Sequence, residues 1–417
     1  MCSRSHVCLA LLFAACLTPT VIAQQAFTWA QIKDKFEAEN PTLRAGKINI
    51  DEAKAEEITA YLRPNPDFTA SLDQLTPFTI NPYQPLSSVL PLVSGNYLHE
   101  RAHKRELRLE SAQKGAAIAE AQQADLERNL LFNLRGAFVQ ALQAKAVLAL
   151  ARENLGYYDK LLSVSRDRYA AGDIAQVDLD RLELQRVQYE SDVQTAAVSL
   201  RTAKIQLLML LNDRTPIEQF DVAGPFDFPE RLPGKEEFRT IALTARPDLK
   251  AALEAVDKAQ TDHKLAVADG STDPTFGVDL GRNPPIPAYL GVSVTIPLRV
   301  FDRNQGEKLR TQLDIGLNER LRDATRAQVF NDVDSAWETL NGNLTLLRPY
   351  KTKYLQQAVR VRDTVSFAYQ HGGASLLDFL QAQQDYRSIQ LNYLNLIGSY
   401  LTAASQLNLA VGREAIQ

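Results

Sequence analysis

The chain has 417 residues, 45% hydrophobic and 23% charged, enough to bury a substantial core, which excludes disordered and collagen-like classes. Its formal net charge of −4 leaves no overall basic surplus to neutralise a phosphate backbone, so nucleic acid is not an expected partner.

At the N-terminus, Arg4, an apolar run from Val7 to Leu17, Pro19 and then Val21-Ile22-Ala23 ahead of Gln24 read as a secretory signal over residues 1–23, cleaved after Ala23. Cys2, Cys8 and Cys16 all lie within it, so cleavage leaves no thiol, disulfide or cysteine metal ligand. Phe13-Ala14-Ala15-Cys16 also fits a lipoprotein box, in which Cys16 becomes a lipidated N-terminus. Past the signal, no run approaches the roughly 18 apolar residues of a spanning helix. If the mature chain enters a membrane, it does so as β-strands.

The rest reads as one unit present twice. Residues 24–212 form a first repeat, with a hairpin over about 66–98 and long helices over about 100–212. Residues 213–236, with Pro216, Pro225, Pro229 and Pro233, read as a linker. Residues 237–417 form the second repeat, with a hairpin over about 274–298 and long helices over about 300–412. Asn40-Pro41-Thr42-Leu43 and Arg246-Pro247-Asp248-Leu249 each place a proline near a helix start.

In the first hairpin Phe68, Ala70 and Leu72 alternate with Thr69, Ser71 and Asp73, followed by a loop with Pro77, Pro82 and Pro85 and a less regular strand around Ser88 to Asn96. In the second, Phe276, Val278 and Leu280 alternate with Thr275, Gly277, Asp279 and Gly281. After a turn at Pro284-Pro285 and Pro287 come Leu290, Val292, Val294, Ile296 and Leu298 against Tyr289, Gly291, Ser293 and Thr295. Such strands suit a membrane barrel, apolar to lipid and polar to the lumen, and equally a half-buried soluble sheet. Four strands cannot close a spanning barrel, so a membrane role requires oligomerisation.

The helical segments contain no proline between Pro91 and Pro216 or after Pro349. A helix from about Glu100 to Gly172 would reach on the order of 105 Å. At an ungapped offset of 200, Tyr169 matches Tyr369, Gly172 matches Gly372 and Asp178 matches Asp378. Both copies then carry a heptad seam. The first runs Leu179, Leu182, Tyr189, Val193, Ala196, Leu200, Ala203, Leu207 and Leu210, interrupted at Arg186; the second runs Phe379, Ala382, Tyr386, Ile389, Tyr393, Leu396, Tyr400, Ala403, Leu407 and Ala410. From periodicity alone, a coiled-coil scaffold fits as well as a channel.

His99-Glu100-Arg101-Ala102-His103 matches the zinc-peptidase pattern of two histidines one helical turn apart with a glutamate base. Such a site needs a helix, a third ligand and a pocket. Glu110 and Glu120 are undistinguished as third ligands, and the crossing at Asp302-Arg303-Asn304 in the second repeat has no histidine. His263 stands alone on a helix, and His371, in the second turn, is a candidate for binding a metal in transit. No cofactor-binding motif is present.

The signal, the duplicated order of helix, hairpin, long helix and returning helix, the Tyr-x-x-Gly-x-x-x-x-x-Asp pattern at each turn, and Ile296-Pro297-Leu298 followed by Asp302-Arg303-Asn304-Gln305-Gly306 together resemble the TolC-like outer-membrane efflux family. The resemblance implies a mainly α fold with a small β part. In it, a homotrimer joins a helical periplasmic tunnel to a shared transmembrane barrel in the outer membrane of a Gram-negative bacterium, with outer-membrane lipid around the barrel. It further implies a passive conduit, not an enzyme, served by an inner-membrane pump and a periplasmic adaptor. The apolar residues Phe68, Leu72, Phe276, Val278, Leu280, Leu290, Val292, Val294 and Ile296 would face lipid.

Tyr169, Gly172, Asp173, Asp178 and Arg181, with Tyr369, Gly372, Gly373 and Asp378, would lie at the closed periplasmic tip. There, Asp178 or Asp378 repeated about the axis would form a cation-favouring carboxylate ring. Members with a tyrosine–arginine–aspartate clasp carry a basic residue two positions after the glycine, where this chain has Ala374; Arg181 is the candidate substitute from the other hairpin. The alternatives are a periplasmic adaptor or scaffold and, last, the zinc peptidase.

Overall fold

The computed structural model describes residues 25–75, 89–229 and 231–416. Residues 1–23, read as a signal and holding the three cysteines, the loop prolines Pro77, Pro82 and Pro85, and Ser88 lie outside them.

Strand β1 (Gln25–Phe27) leads into α1 (Trp29–Glu39) and α2 (Pro41–Tyr61). Proline stands at the first position of α2, where its missing N–H costs nothing, and Asn40 caps the helix by accepting from the backbone of Thr42 and Leu43. The counterpart Pro247 opens α6 (Pro247–Asp269), after α5 (Lys235–Ala245). Between the repeats, β4 (Phe220–Val222) pairs in parallel with β1, and the stacked rings of Phe27 and Phe220 cover the join. The proline-rich segment thus holds a strand that ties the middle of the chain to its start.

The first hairpin is β2 (Asp67–Asp73) and β3 (Leu90–Leu98); the second is β5 (Thr275–Asn283) and β6 (Ile286–Thr295). They join into one antiparallel sheet of order β2-β3-β5-β6, which leaves β2 and β6 as open edges. Pro287 lies within β6 and not in the turn, a position an edge strand tolerates.

From β3 the chain turns into α3 (Lys104–Ala170), 67 residues long and about 100 Å at 1.5 Å per residue. It starts four residues later than the sequence suggests, because Ala102 and His103 both take left-handed backbone conformations. Asn304 does the same before α7 (Gln305–Pro349), and its side-chain amide donates to the carbonyl of Ala266, so both repeats leave the sheet through a left-handed residue. The second long helix is interrupted: after Pro349 comes a π-helical turn, Tyr350–Tyr354, and then α8 (Leu355–Gln370). Proline cannot donate its backbone N–H, which loosens the ladder at this point.

The returning helices are α4 (Gln176–Leu210) and α9 (Leu376–Val411). Their seams are buried or half-buried, and Leu182, Leu207, Phe379, Tyr400 and Leu407 reach zero exposure against α3, α7 and α8. Removing a fully buried leucine of this kind costs about 2–5 kcal/mol. The break at Arg186 is resolved electrostatically, its guanidinium pairing with Asp159 on α3 and Glu190 one turn along. Among the described residues no helix is long and apolar enough to cross a membrane.

Candidate functional site: the bare sheet face and the paired helical turns

Directly opposed residues of a sheet share a face, so the register sorts every strand residue. Phe68 opposes Gly95, Gly95 opposes Val278, and Val278 opposes Val292; Ala70, Val93, Leu280 and Leu290 form the next row, and Tyr97, Phe276 and Val294 another. All the apolar residues singled out in the sequence therefore occupy one continuous face, with Ile296 just past β6. Each of the nine is exposed, Val292 to 83%. The other face carries Asn96, Gly277 and Ser293 in one row and Ser94, Asp279 and Gly291 in the next. The glycines there are packed over: a side chain at Gly277 would meet Ser293 and Asn96, and one at Gly281 would meet the ring of Tyr289.

At the sheet's base the repeats interlock. Lys104, 4% exposed, donates to Asp273 at 2.5 Å and to the carbonyl of Ser271, while the backbone of Arg101 donates to the other oxygen of Asp273. Burial opposes ionisation of Asp273, yet these donors hold its carboxyl below the usual range. Glu100 accepts two hydrogen bonds from Arg108 at 2.5 and 2.9 Å. The zinc pattern is thus dismantled. His99 and Glu100 precede the helix, the side chain of His103 points to solvent, and the would-be general base is held in an ion pair. No group of three or more metal-ligating side chains occurs among the described residues. His371 lies against the Phe367 ring and contacts its carbonyl at 2.8 Å.

At the far end, each long helix stops in the same device. Gly172 (φ +85) donates to Tyr169 O while Asp173 donates to Arg168 O; Gly372 (φ +78) donates to Tyr369 O while Gly373 donates to Ala368 O. This is the Schellman stop, and only glycine takes its left-handed position without penalty. Ser375 and Asp378 then cap α9 reciprocally, whereas Asp178 makes no capping bond and sits 4.0 Å from Arg181 on its own helix. Asp378 thus has a local structural task, and Asp178 does not.

The two turns differ in their surroundings. Tyr169 is exposed, but Tyr369 is buried, stacked on Phe379 at 5.0 Å within a cluster that also holds Leu161 and Leu162 of α3 and Leu179 and Leu182 of α4. Its hydroxyl has no hydrogen-bond partner. Burial pushes its phenol up, with Asp178 acting in the same direction and Arg168 against it. Arg181 is not the residue that crosses between hairpins; its partner lies one turn away on α4. Arg168 crosses instead, its guanidinium 5.5 Å from the Tyr369 ring and donating to Tyr369 O at 3.2 Å. The only sequence sign of this role is a basic residue before Tyr169, where the second copy has Ala368.

No family model matches the chain. Over 385 residues it is 24% identical to the cobalt-zinc-cadmium resistance protein CzcC of Cupriavidus metallidurans, covering 90% of this chain and 87% of that protein. It is 23% identical over 403 residues to the outer membrane protein TolC of Escherichia coli, covering 89% and 80%. Among solved structures, the open-state MtrE outer-membrane channel of Neisseria gonorrhoeae superposes with a TM-score of 0.75 at 18% identity, covering 93% of this chain and 89% of that one. The outer membrane protein VceC of Vibrio cholerae gives 0.73 at 16%, covering 92% and 96%.

Proposed function

We infer that this chain, a TolC-like outer-membrane protein in fold and in similarity along 90% of its length, is one protomer of the outer-membrane channel of a tripartite efflux system. The observation that carries this reading is the sheet: four strands with two open edges and one largely exposed apolar face, standing on a helix about 100 Å long. Open edges are removed by closure, and a bare apolar face is stable in lipid. Three copies closing their sheets into one barrel satisfy both demands. The polar face then lines the lumen, and the helices continue it as a periplasmic tunnel towards an adaptor and an inner-membrane pump.

In this reading the protein catalyses nothing. Cargo passes by diffusion and is selected by the pump. The paired Schellman turns form the periplasmic tip, with Tyr169, Gly172, Asp173, Asp178, Arg181, Tyr369, Gly372 and Asp378 in the constriction and Arg168 as the tie between hairpins. A periplasmic adaptor or scaffold fits the helices equally well but leaves the apolar sheet face without a covering. Fractionation with crosslinking, followed by planar-bilayer recording, tests the proposal. A crosslinked trimer in the outer-membrane fraction that conducts ions is expected; recovery solely as a soluble monomer overturns it.

A further inference from the structure

Where the start of α1, the segment after β4 and the middle of α3 meet, they leave a cavity of about 230 Å³. Phe138 and Leu142 of α3 and Leu401 of α9 line its buried part. Trp29 stands beside them, its ring 5.7 Å from that of Phe138. Gly224 keeps the space open, because a Cβ there would meet Phe138 at 3.4 Å and Leu142 at 3.5 Å.

Arg135 of α3 also lines this cavity, its guanidinium 4.6 Å from the Trp29 ring and 5.7 Å from the Phe138 ring. Among the described residues it makes no hydrogen bond and no ion pair, so its contacts are with the two rings. Other arginines of the same region are committed: Arg128 donates to Asp125 and to the carbonyl of Leu409, and Arg246 pairs with Asp248 and Asp332. Glu414 attracts Arg135 without pairing with it, its carboxylate accepting from Trp29 Nε1 at 3.2 Å and lying 3.6 Å from Lys33. Burial works against the charge of Arg135. A guanidinium held flat against a ring, with its N–H fork unused, is set to clamp a carboxylate through two parallel hydrogen bonds.

We propose that this cavity is a binding site for a small aromatic carboxylate, with the ring against Phe138, Leu142 and Leu401 and the carboxylate on Arg135. Volume sets the size of the occupant. The cavity exceeds the roughly 150 Å³ that accommodates benzene and falls short of the roughly 300 Å³ at which pockets for drug-sized molecules begin. A bare anion leaves the apolar end unfilled, and an uncharged ring leaves the guanidinium without an acceptor. The occupant ties α1 and the segment after β4 to α3. The site is separate from the sheet, so the proposal stands or falls independently of the channel reading.

The test titrates benzoate, phenylacetate and the uncharged benzamide into the full-length protein purified in a non-ionic detergent. A Trp337→Phe background leaves Trp29 as the remaining tryptophan, so its fluorescence reports on the cavity while calorimetry gives the affinity. Saturable binding of benzoate and phenylacetate is expected at about millimolar concentration or below, with benzamide at least about tenfold weaker. Arg135→Gln is expected to weaken benzoate by about tenfold or more and to remove the preference over benzamide. Gly224→Val, which fills the space, is expected to weaken all the ligands while the melting temperature without ligand is kept.

Glu414→Gln supplies a gain that a misfolded variant cannot give. It removes the charge that shares Arg135 and is expected to tighten benzoate by about threefold. Neither carboxylate saturating, equal affinities for benzoate and benzamide, benzoate binding unmoved by Arg135→Gln, or no tightening in Glu414→Gln would each overturn the site.

Discussion

The guanidinium of Arg168, at the end of the first long helix, lies 5.5 Å from the ring of Tyr369 at the end of the second and donates to its carbonyl. This contact joins the helix pair α3–α4 to the pair α8–α9 of the same chain directly at their turns. A cation–π contact and a hydrogen bond together hold on the order of 1–2 kcal/mol. Arg168→Ala is expected to raise the open fraction or mean conductance in planar bilayers by about 5- to 30-fold at most, with Arg168→Lys in between. Unaltered conductance in both variants would mean that other contacts hold the tip closed.

Asp178 is free of capping duty, and on the channel reading its carboxylate, 4.0 Å from Arg181, faces the aqueous path. Asp178→Asn is expected to reduce cation preference, read as a smaller reversal potential in a salt gradient. Asp378→Ala also removes the bonds that Asp378 returns to Ser375 in the capping box of α9, so its effect on selectivity must be judged beside its thermal stability. Selectivity unmoved by Asp178→Asn would place the filter elsewhere.

Opposite faces of one strand provide an internal control for membrane insertion. Val292→Arg puts a charge on the apolar face at mid-band, at a cost of about 2–4 kcal/mol in each protomer, and is expected to deplete the crosslinked trimer in the outer-membrane fraction. Ser293→Arg, one residue on and facing the other way, is expected to preserve the trimer and alter conductance. Equal trimer yields from the two would contradict the face assignment.

Strong acid should weaken the join between the first helix and the end of α4. Burial opposes ionisation of Asp213, but hydrogen bonds from Lys35 and Thr215 outweigh it and bring the carboxyl down to about 2. A depressed carboxylate stabilises the fold above its unfolded pKa, near 4, and loses that stabilisation as pH falls towards 2. The contribution is on the order of 2 kcal/mol. Asp213→Asn should therefore lower the melting temperature at pH 6 and flatten its fall between pH 4 and 2. Parallel curves for the two proteins would assign that acid sensitivity to other groups.

Much of this architecture is legible in the residues, for physical reasons that differ by element. The two-residue period of β5 and β6 assigned each side chain to a face because extended backbone allows no other arrangement, and the register agrees row by row. The heptads disclosed α4 and α9 because a long seam must keep facing its partner. Three features escaped. A three-residue strand such as β1 has too little length to show alternation, so its ladder with β4 is visible only in three dimensions. The break after Pro349 escaped because whether a helix ends, continues or slips into a π turn at a proline depends on its packing. Arg168 escaped because a comparison of repeats displays what they share, and this tie depends on the position at which they differ.

The order β2-β3-β5-β6 also dictates a sequence of events in assembly. The central ladder joins Leu98 to Thr275, so the first hairpin must wait, unpaired on one edge, while the intervening residues are exported and fold. A lone hairpin is marginally stable in water, and contacts between such distant residues form slowly. The helices of the first repeat, built from nearer contacts, can settle earlier, and Lys104 with its grip on Asp273 then draws the second hairpin alongside the first. On the channel reading, insertion into the membrane is the last act, because the open edges of β2 and β6 close only when three chains bring their sheets together, and lipid then covers the apolar face.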